Sequence, residues 1–258
     1  MALPKIKEKI YTHFLKGIGK KIRFRGFTVK EQEILLESLP IKDLENKEEN
    51  LTKEQEIEIV NAICQVITNC IIDNIDAKDL TYFDLTDLFI QLRKVSVGDV
   101  IELKYQLTHP DEKDERKRYE IVNHIVDLNK IEVKVPDSEK MNIVIDNEDG
   151  MEYIVRMKFP SVRDIIDDDK KAIKENVIAS KIFSMVDVIS VDGEIYTKDD
   201  ITLDEWIESF TTFGSFNQQM FVDFIKNIPD VEYEFDIVSN RDPKVKHTIH
   251  LKGLKDFF

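Results

Sequence analysis

Residues Glu232–Phe258 read EYEFDIVSNRDPKVKHTIHLKGLKDFF, and this closing stretch decides how the rest of the chain is interpreted. In its first half, Tyr233, Phe235 and Ile237 alternate with acidic residues. In its second half, apolar residues and His247 alternate with basic and polar residues. Alternation with a period of two on both sides of a turn rich in Pro, Asn and Asp predicts a β-hairpin. Acids on one strand and bases on the other favour this pairing through cross-strand charge pairs.

The chain ends with two aromatic side chains that follow Gly253. Glycine adopts positive φ readily, so it can redirect the chain after the hairpin. Chain ends usually fray unless something holds them, so these rings dock either on this protein or on a partner. The hypothesis is that Leu254, Phe257 and Phe258 bind a partner, because aromatic anchors often dominate protein interfaces.

The amino-acid composition and net charge argue against some classes of partner. The chain has 258 residues, is 42% hydrophobic and 34% charged, and has a net charge of −14. An acidic chain argues against a nucleic-acid partner and against an anionic membrane surface. The first residues do not read as a signal peptide, and no apolar run approaches the ~20 residues of a membrane span. We therefore expect protein partners, no nucleic acid and no membrane contact.

The order of local patterns predicts an α+β fold in three regions. Residues 1–96 read as mainly helical, residues 97–165 as antiparallel strands, and residues 166–258 as helices followed by the closing hairpin and the aromatic tail. The three regions can also form one composite domain. The expected architecture is N-terminal helices, a central antiparallel sheet of hairpins, C-terminal helices and a closing β-hairpin.

In the N-terminal region, residues 1–20 are predicted to form a short basic helix, either packed on the core or docked on an acidic neighbour. Lys21–Phe27 alternates as a strand, and Thr28 with Glu31 has the spacing of a capping box for the next helix. Thr52 is expected to cap a helix over residues 53–72, and Asp84–Lys94 reads as another helix.

Beyond residue 97, alternating residues predict a second hairpin that returns over Tyr119–Val126. Shorter strands are expected over Lys130–Val135, Asn142–Asp146 and Met151–Phe159. From Ile166 to about Ile189 a broad apolar stripe predicts one long helix. Two further helices are expected to start near Thr202 and Ser215.

The residues give little sign of metal or catalytic chemistry. His247 and His250 are three apart on a strand and face opposite ways, so they cannot share an ion. Cys64 and Cys70 lie in one apolar segment at a helical spacing that does not suit a disulfide. There is no nucleophile elbow, phosphate-binding loop or dinucleotide fingerprint. We expect no catalytic residue, no metal and no cofactor.

Three segments together resemble a known family. Lys21–Leu36 is a basic strand that leads into Phe-Thr-x-Lys-Glu-x-x-x-Leu-Leu. Asp87–Gly98 reads Asp-Leu-Phe-Ile-Gln-Leu-Arg-Lys-Val-Ser-Val-Gly, and the chain closes with Leu251-Lys-Gly-Leu-Lys-Asp-Phe-Phe. This combination, from about residue 20 to the end, resembles the baseplate hub assembly proteins of T4-like contractile-tailed bacteriophages.

The resemblance implies a baseplate hub subunit or hub assembly protein that acts by protein–protein interaction during tail morphogenesis. Its partners would be other tail or hub proteins. It would work in the host bacterial cytoplasm and either stay in the virion baseplate or leave. One alternative is a tail assembly chaperone that binds the tape-measure protein and is absent from the virion. A second is a small enzyme or metal-binding protein that the sequence does not identify.

Overall fold

The computed structural model describes residues 8–38, 52–109, 112–114, 117–133, 135, 141–145, 150–171 and 176–254, with side chains of the helix at residues 162–171 described up to residue 166. The fold is α+β, as the sequence predicts, and its strands form small antiparallel sheets. By its contacts the chain divides into two compact units. Unit 1 contains residues 1–77, 83–134 and 230–258, and unit 2 contains residues 78–82 and 135–229. This division differs from three consecutive regions because both units are assembled from segments distant in sequence.

Unit 1 begins with a β-hairpin, which corrects the helix predicted for residues 1–20. Strand β1 (Ile10–Leu15) pairs antiparallel with β2 (Lys20–Arg25). The helical spacing of Ile10 and Phe14 is misleading, because both side chains are exposed on the outer face of the hairpin. The buried positions instead follow a period of two, and the turn between the strands is held by Asp84, which accepts the N–H groups of Gly17 and Ile18 at 2.9 Å each.

Three helices follow, close to where their patterns predict them. They are α1 (Val29–Ser38), α2 (Lys53–Cys70) and α3 (Tyr82–Ser96). Thr52 caps α2 as predicted, and it does so through a capping box with Gln55. At Thr28 the box is half formed, since the Glu31 carboxylate accepts the Thr28 N–H at 2.7 Å and the Thr28 hydroxyl donates to the same oxygen.

Both cysteines of α2 are free and buried. Burial raises the pKa of the Cys70 thiol to about 12, while the nearby Arg25 guanidinium opposes this shift. A thiol in this state is protonated and therefore a poor nucleophile.

Two long hairpins complete unit 1. Strand β3 (Val100–Thr108) pairs with β4 (Tyr119–Asp127), as predicted. The closing hairpin pairs β9 (Glu232–Val238) with β10 (Lys246–Lys252). Its expected charge pairs are present on the outer face, where Lys252 meets Glu232, His250 meets Glu234 and Lys246 meets Asp236. Such exposed pairs specify register more than they add stability.

Unit 2 has two layers. A four-stranded antiparallel sheet has the order β5 (Asn142–Ile145), β6 (Tyr153–Met157), β7 (Val186–Val191) and β8 (Glu194–Thr197). Its helices are α4 (Val162–Lys171), α5 (Val177–Ser184), α6 (Leu203–Thr212) and α7 (Ser215–Lys226). One face of the sheet packs with α5, α6 and α7 around Trp206, whose indole N–H donates to the Ala179 carbonyl at 2.9 Å.

The long helix predicted from Ile166 to Ile189 is wrong. The segment contains α4, α5 and then β7, a central strand of the sheet. Val186, Val188 and Ile189 are β-branched, which suits a strand between two partners better than a helix end. The strand predicted over Lys130–Val135 is also wrong for its described part, since residues 131–133 are not in a strand.

Helix α6 gives a direct test of capping. The Thr202 hydroxyl accepts the Glu205 N–H at 3.3 Å, and the Glu205 carboxylate accepts the Thr202 N–H at 2.8 Å. We predict that Thr202→Ala lowers the free energy of unfolding of unit 2 by about 1 kcal/mol, because the helix loses its cap. Urea unfolding followed by the fluorescence of Trp206, the single tryptophan, measures this change.

The matched control is Thr211→Ala, an exposed threonine within the same helix. This substitution should leave stability within about 0.5 kcal/mol, since alanine is the better helix former. Equal losses in the two variants would show that the Thr202 cap is not what stabilises α6.

Candidate interaction surfaces

A buried carboxylate joins the two long hairpins of unit 1. The Glu120 side chain on β4 is 8% exposed and accepts the Ser239 hydroxyl at 2.5 Å and the Asn240 N–H at 3.0 Å. His109 Nε2 lies 2.9 Å from the same carboxylate. The guanidinium of Arg241 lies 3.4 Å away. These five residues are called the Glu120 cluster.

The turn of the closing hairpin is shaped for this contact. The Ser239 oxygen accepts the backbone N–H groups of Arg241 and Asp242 at 3.0 Å each, so its hydroxyl is oriented toward Glu120. Arg241 also donates to the carbonyls of Lys117 and Tyr119 at 2.8 and 2.7 Å. The turn is therefore fixed to the start of β4 by backbone and side-chain bonds together.

The electrostatics of the cluster favour a charged Glu120. Donation by the Ser239 hydroxyl, followed by His109, the Asn240 N–H and Arg241, lowers the Glu120 pKa to about 2 despite its desolvation. The three residues Ser, Glu and His do not form a nucleophilic triad, because the carboxylate lies between the other two. A triad needs the histidine next to the serine to take its proton. The cluster is a structural joint.

Aromatic packing continues the same contact along the strands. The His124 ring of β4 stacks on Phe235 of β9, with centroids 3.9 Å apart and planes at 9°. Tyr105 of β3 meets the same phenyl ring edge-on at 6.0 Å. The inner face of the β3–β4 hairpin is thus covered by the closing hairpin, and its other face is turned outward.

That outward face carries large apolar side chains. Tyr119, Ile121 and Ile125 of β4 are 53%, 67% and 61% exposed. They alternate with buried Glu120, Val122 and Val126, so all three lie on one side of the strand. The three residues are called the β4 row. Exposed apolar residues that share one face are typical of a surface that meets another protein.

Unit 2 has a second surface of this kind. The face of its sheet opposite to α5, α6 and α7 is called the outer face. Register places Val144, Ile154, Ser190 and Ile195 side by side across all four strands. Val144 and Ile195 are 50% and 68% exposed, and the intermediate pair is half-buried.

The adjacent row of the outer face has mixed chemistry. Its cross-strand neighbours are Asn142, Arg156, Val188 and Thr197. Arg156 is paired with Asp187 at 2.8 Å, so this row adds one apolar side chain and one satisfied ion pair. The outer face is therefore an apolar strip with little unpaired charge of its own.

The residues proposed from the sequence lie at the end of unit 1. Gly253 has φ of 66° and donates its N–H to the Val231 carbonyl at 2.9 Å, which redirects the chain as expected. Leu254 is 2% exposed and packs inside the protein. Phe257 and Phe258 lie outside the described residues. The partner-binding role proposed for these three residues stays a prediction.

Sequence reasoning missed both apolar surfaces and the Glu120 cluster. On β4, two interleaved apolar sets, Ile121 with Ile125 and Val122 with Val126, give no indication of which face is buried. The available signal was Glu120 itself, an acid within the strand with histidines near it in sequence. On the outer face the signal was a surplus of β-branched residues on both faces of β6 and β7.

Within the described residues, two further features are absent. No group of three or more His, Cys, Asp or Glu side chains is placed to hold a metal ion. Among the described helices, none is both long enough and apolar enough to span a membrane. The expectations of no cofactor and no catalytic residue remain predictions.

Two exposed apolar surfaces, here together with a hydrogen-bonded joint between hairpins, are typical of the class of proteins that associate with other proteins. The family model described as T4 bacteriophage base plate protein matches residues 7–258. Because this match covers nearly the whole chain, the chain belongs to that family. A search of curated proteins and a search of solved structures each returned no match. Family membership assigns the chain a structural or assembly role in the phage baseplate and other phage proteins as partners.

The Glu120 cluster predicts a specific pH dependence. Because the folded protein lowers the Glu120 pKa from 4.5 to about 2, its contribution to stability is complete above the ordinary value and is lost as the pH falls toward 2. We predict that Glu120→Gln is less stable than the natural protein at pH ~7 and that this difference shrinks at pH ~3. Urea unfolding followed by circular dichroism at both pH values measures the difference.

The control is Glu234→Gln, which removes an exposed carboxylate paired with His250 in the neighbouring hairpin. It should change stability little at either pH, as expected for a surface pair. A Glu120→Gln effect that is the same at both pH values would show that the charge of Glu120 does not hold the hairpins together.

Proposed function

We propose that this protein is a component of the baseplate hub, or of its assembly, and that it acts through protein–protein contacts during tail morphogenesis. The observation that carries the proposal is the match of residues 7–258 to the base plate family together with the outward β4 row. A protein that works alone gains nothing from three exposed apolar side chains on one strand face. A subunit gains a surface that can be buried in an assembly.

The proposal involves no catalytic step. Glu120, a buried carboxylate, connects two hairpins and stays ionised over the ordinary pH range. The Ser239 hydroxyl donates to that carboxylate, whose low pKa makes it a weak base. These contacts support a structural role for the cluster.

A hub subunit and an assembly factor differ in what the finished virion contains. Mass spectrometry of purified virions, compared with affinity pull-downs from infected cells, separates the two. Peptides of this chain in the virion at a fixed ratio to other hub proteins support a hub subunit. Capture of tail proteins from cells without virion peptides supports an assembly factor, and capture of the tape-measure protein alone supports the chaperone alternative. Failure to capture any tail protein contradicts the proposal.

The β4 row gives the first mutational test. We predict that the double variant Ile121→Thr, Ile125→Thr melts like the natural protein, because threonine retains the β-branched shape and both positions are exposed. Its capture of tail proteins and its complementation of a phage lacking the gene should fall at least tenfold, since the apolar anchors are gone.

The matched control places threonines on the neighbouring strand. Lys104→Thr, Gln106→Thr alters two outward residues of β3, one of which, Gln106, is the cross-strand partner of Ile121. This control should retain complementation. If both double variants complement fully, the β4 row is not a contact surface.

The aromatic tail gives a separate test. We predict that Phe257→Ala, Phe258→Ala impairs capture of tail proteins while the melting temperature stays close to that of the natural protein. Aromatic anchors typically contribute ~2 kcal/mol or more to an interface when truncated. Leu254→Ala is the comparison, since the buried leucine should instead lose stability by about 2–5 kcal/mol.

The two readouts separate docking from core packing. A large drop in the melting temperature of the double phenylalanine variant would mean that the rings pack in this protein's own core. Normal melting with full complementation would show that the tail is not a docking element.

A further inference from the structure

The acidic charge of the chain is concentrated in unit 2. Residues 78–82 and 135–229 contain 21 acidic residues and 11 lysines and arginines, which gives a net charge of −10. The remaining residues, those of unit 1, contain 30 acidic and 26 basic residues, a net charge of −4. Unit 2 is the smaller unit, so its charge density is several times higher.

Acidic residues stand at one end of the outer face. Glu152 and Asp192 lie in the segments that connect the strands at that end of the sheet, whereas Glu194, which starts β8, is in register with Val191 of the opposite face. Glu152 and Asp192 are held together, because Asp192 accepts the Glu152 N–H at 2.8 Å and donates its own N–H to the Glu152 carbonyl at 2.8 Å. The apolar strip therefore ends at a fixed acidic border.

We infer that the outer face of unit 2 binds an amphipathic helix of another tail protein, with an apolar stripe flanked by lysines and arginines. The apolar stripe would cover Val144, Ile154, Val188 and Ile195. The basic side chains would reach the acidic border at Glu152 and Asp192. This inference deepens the proposed function and rests on it for the source of the partner.

The negative charge of unit 2 argues against three other partners for the outer face: a second copy of this chain, a nucleic acid and an anionic membrane. A second copy of this chain would bring two units of net charge −10 face to face, which is repulsive at short range. A nucleic acid or an anionic membrane is repelled for the same reason. A basic partner is attracted over the ~8–10 Å range of unscreened charge at ordinary salt.

The size of the strip fits a helix. Four strands spaced by about 4.8 Å give a strip about 14 Å wide between its outer strands. A helix with its side chains is about 10–12 Å across, so one helix covers the strip. The opposite face of the same sheet already packs against three helices, α5, α6 and α7.

The direct test uses the full chain and a synthetic probe. The probe is a fluorescently labelled peptide of about 18 residues, or about five helical turns, made of leucine and lysine with the leucines at helical spacing. Fluorescence anisotropy measures its Kd at low and high salt. A peptide of the same composition in scrambled order and a leucine–glutamate peptide of the same pattern are the controls, and both should bind at least tenfold more weakly.

Two pairs of variants locate the binding. Ile154→Thr, Ile195→Thr removes apolar area from the outer face, and we predict a Kd raised about tenfold or more. Its matched control is Ile121→Thr, Ile125→Thr, which makes the same substitutions in the β4 row of unit 1 and should leave the Kd unchanged. Glu152→Gln, Asp192→Asn should weaken binding at low salt and much less at high salt, and the asparagine oxygen can still accept the Glu152 N–H. Its control is Glu33→Gln, Glu37→Gln, two exposed acids on α1 in unit 1.

Each outcome decides the inference. Weaker binding in the outer-face variants alone supports it. Equal effects in the unit 1 controls, or equal binding of the leucine–glutamate peptide, overturn it. If Ile154→Thr, Ile195→Thr melts early, Glu152→Gln, Asp192→Asn still decides, because both side chains are exposed and their replacement leaves the packing of the sheet intact. Peptide binding at the outer face in a protein that is dispensable for tail assembly would refute the proposed function and the tail-protein source of the helix, and would leave the basic amphipathic helix as the ligand.

Discussion

The carboxylate of Glu120 is the interaction on which the arrangement of unit 1 depends. It joins β4 to a turn 119 residues further along the chain, and its partners come from both hairpins. A buried charge is stable only when hydrogen bonds and opposite charges compensate for its desolvation. Loss of one partner leaves that charge partly uncompensated, which destabilises the fold. The contacts of Ser239, Asn240 and Arg241 with this carboxylate therefore favour the arrangement of the two hairpins that is observed. In that arrangement the face of the β3–β4 hairpin that carries the β4 row is turned outward.

Sequence patterns that span only a few residues correctly predicted several hairpins and helices. The closing hairpin, the β3–β4 hairpin and the helices capped by Thr52 and Thr202 are present, because alternation and capping boxes lie within a few residues. The Glu120 cluster could not be predicted in this way. Its members are ordinary polar residues in two segments over 100 residues apart, and only the fold brings them together. The half-formed cap at Thr28 lies between these cases, since its spacing was right and the direction of one hydrogen bond was not.

The wrong predictions share one physical cause, which is tertiary pairing that overrides local periodicity. Ile10 and Phe14 have helical spacing, yet β1 gains a partner strand in β2 and packs its other side chains inward. Residues 186–189 continue an apolar stripe from α5, yet they become a central strand, where β-branched side chains pack well against both neighbours. In both places an apolar run is compatible with helix and with strand, and the available strand partner decides.

The free energy gained by burying each apolar surface can be compared with the free-energy cost of bringing two proteins together. Burying the exposed parts of three side chains in the β4 row contributes roughly 3–5 kcal/mol. Bringing two proteins together costs on the order of 4–15 kcal/mol, so contact through this row alone is weak and reversible. For the outer face of unit 2, too, the gain from burying a few apolar side chains is comparable to the cost of association. The acidic charge of unit 2 would raise the rate of encounter with a basic partner more than it would raise the affinity. When one complex engages both surfaces, the second contact forms at a high effective concentration and the complex becomes long-lived. Two weak surfaces of this kind therefore suit the proposed assembly role, because stable binding would require both contacts at once.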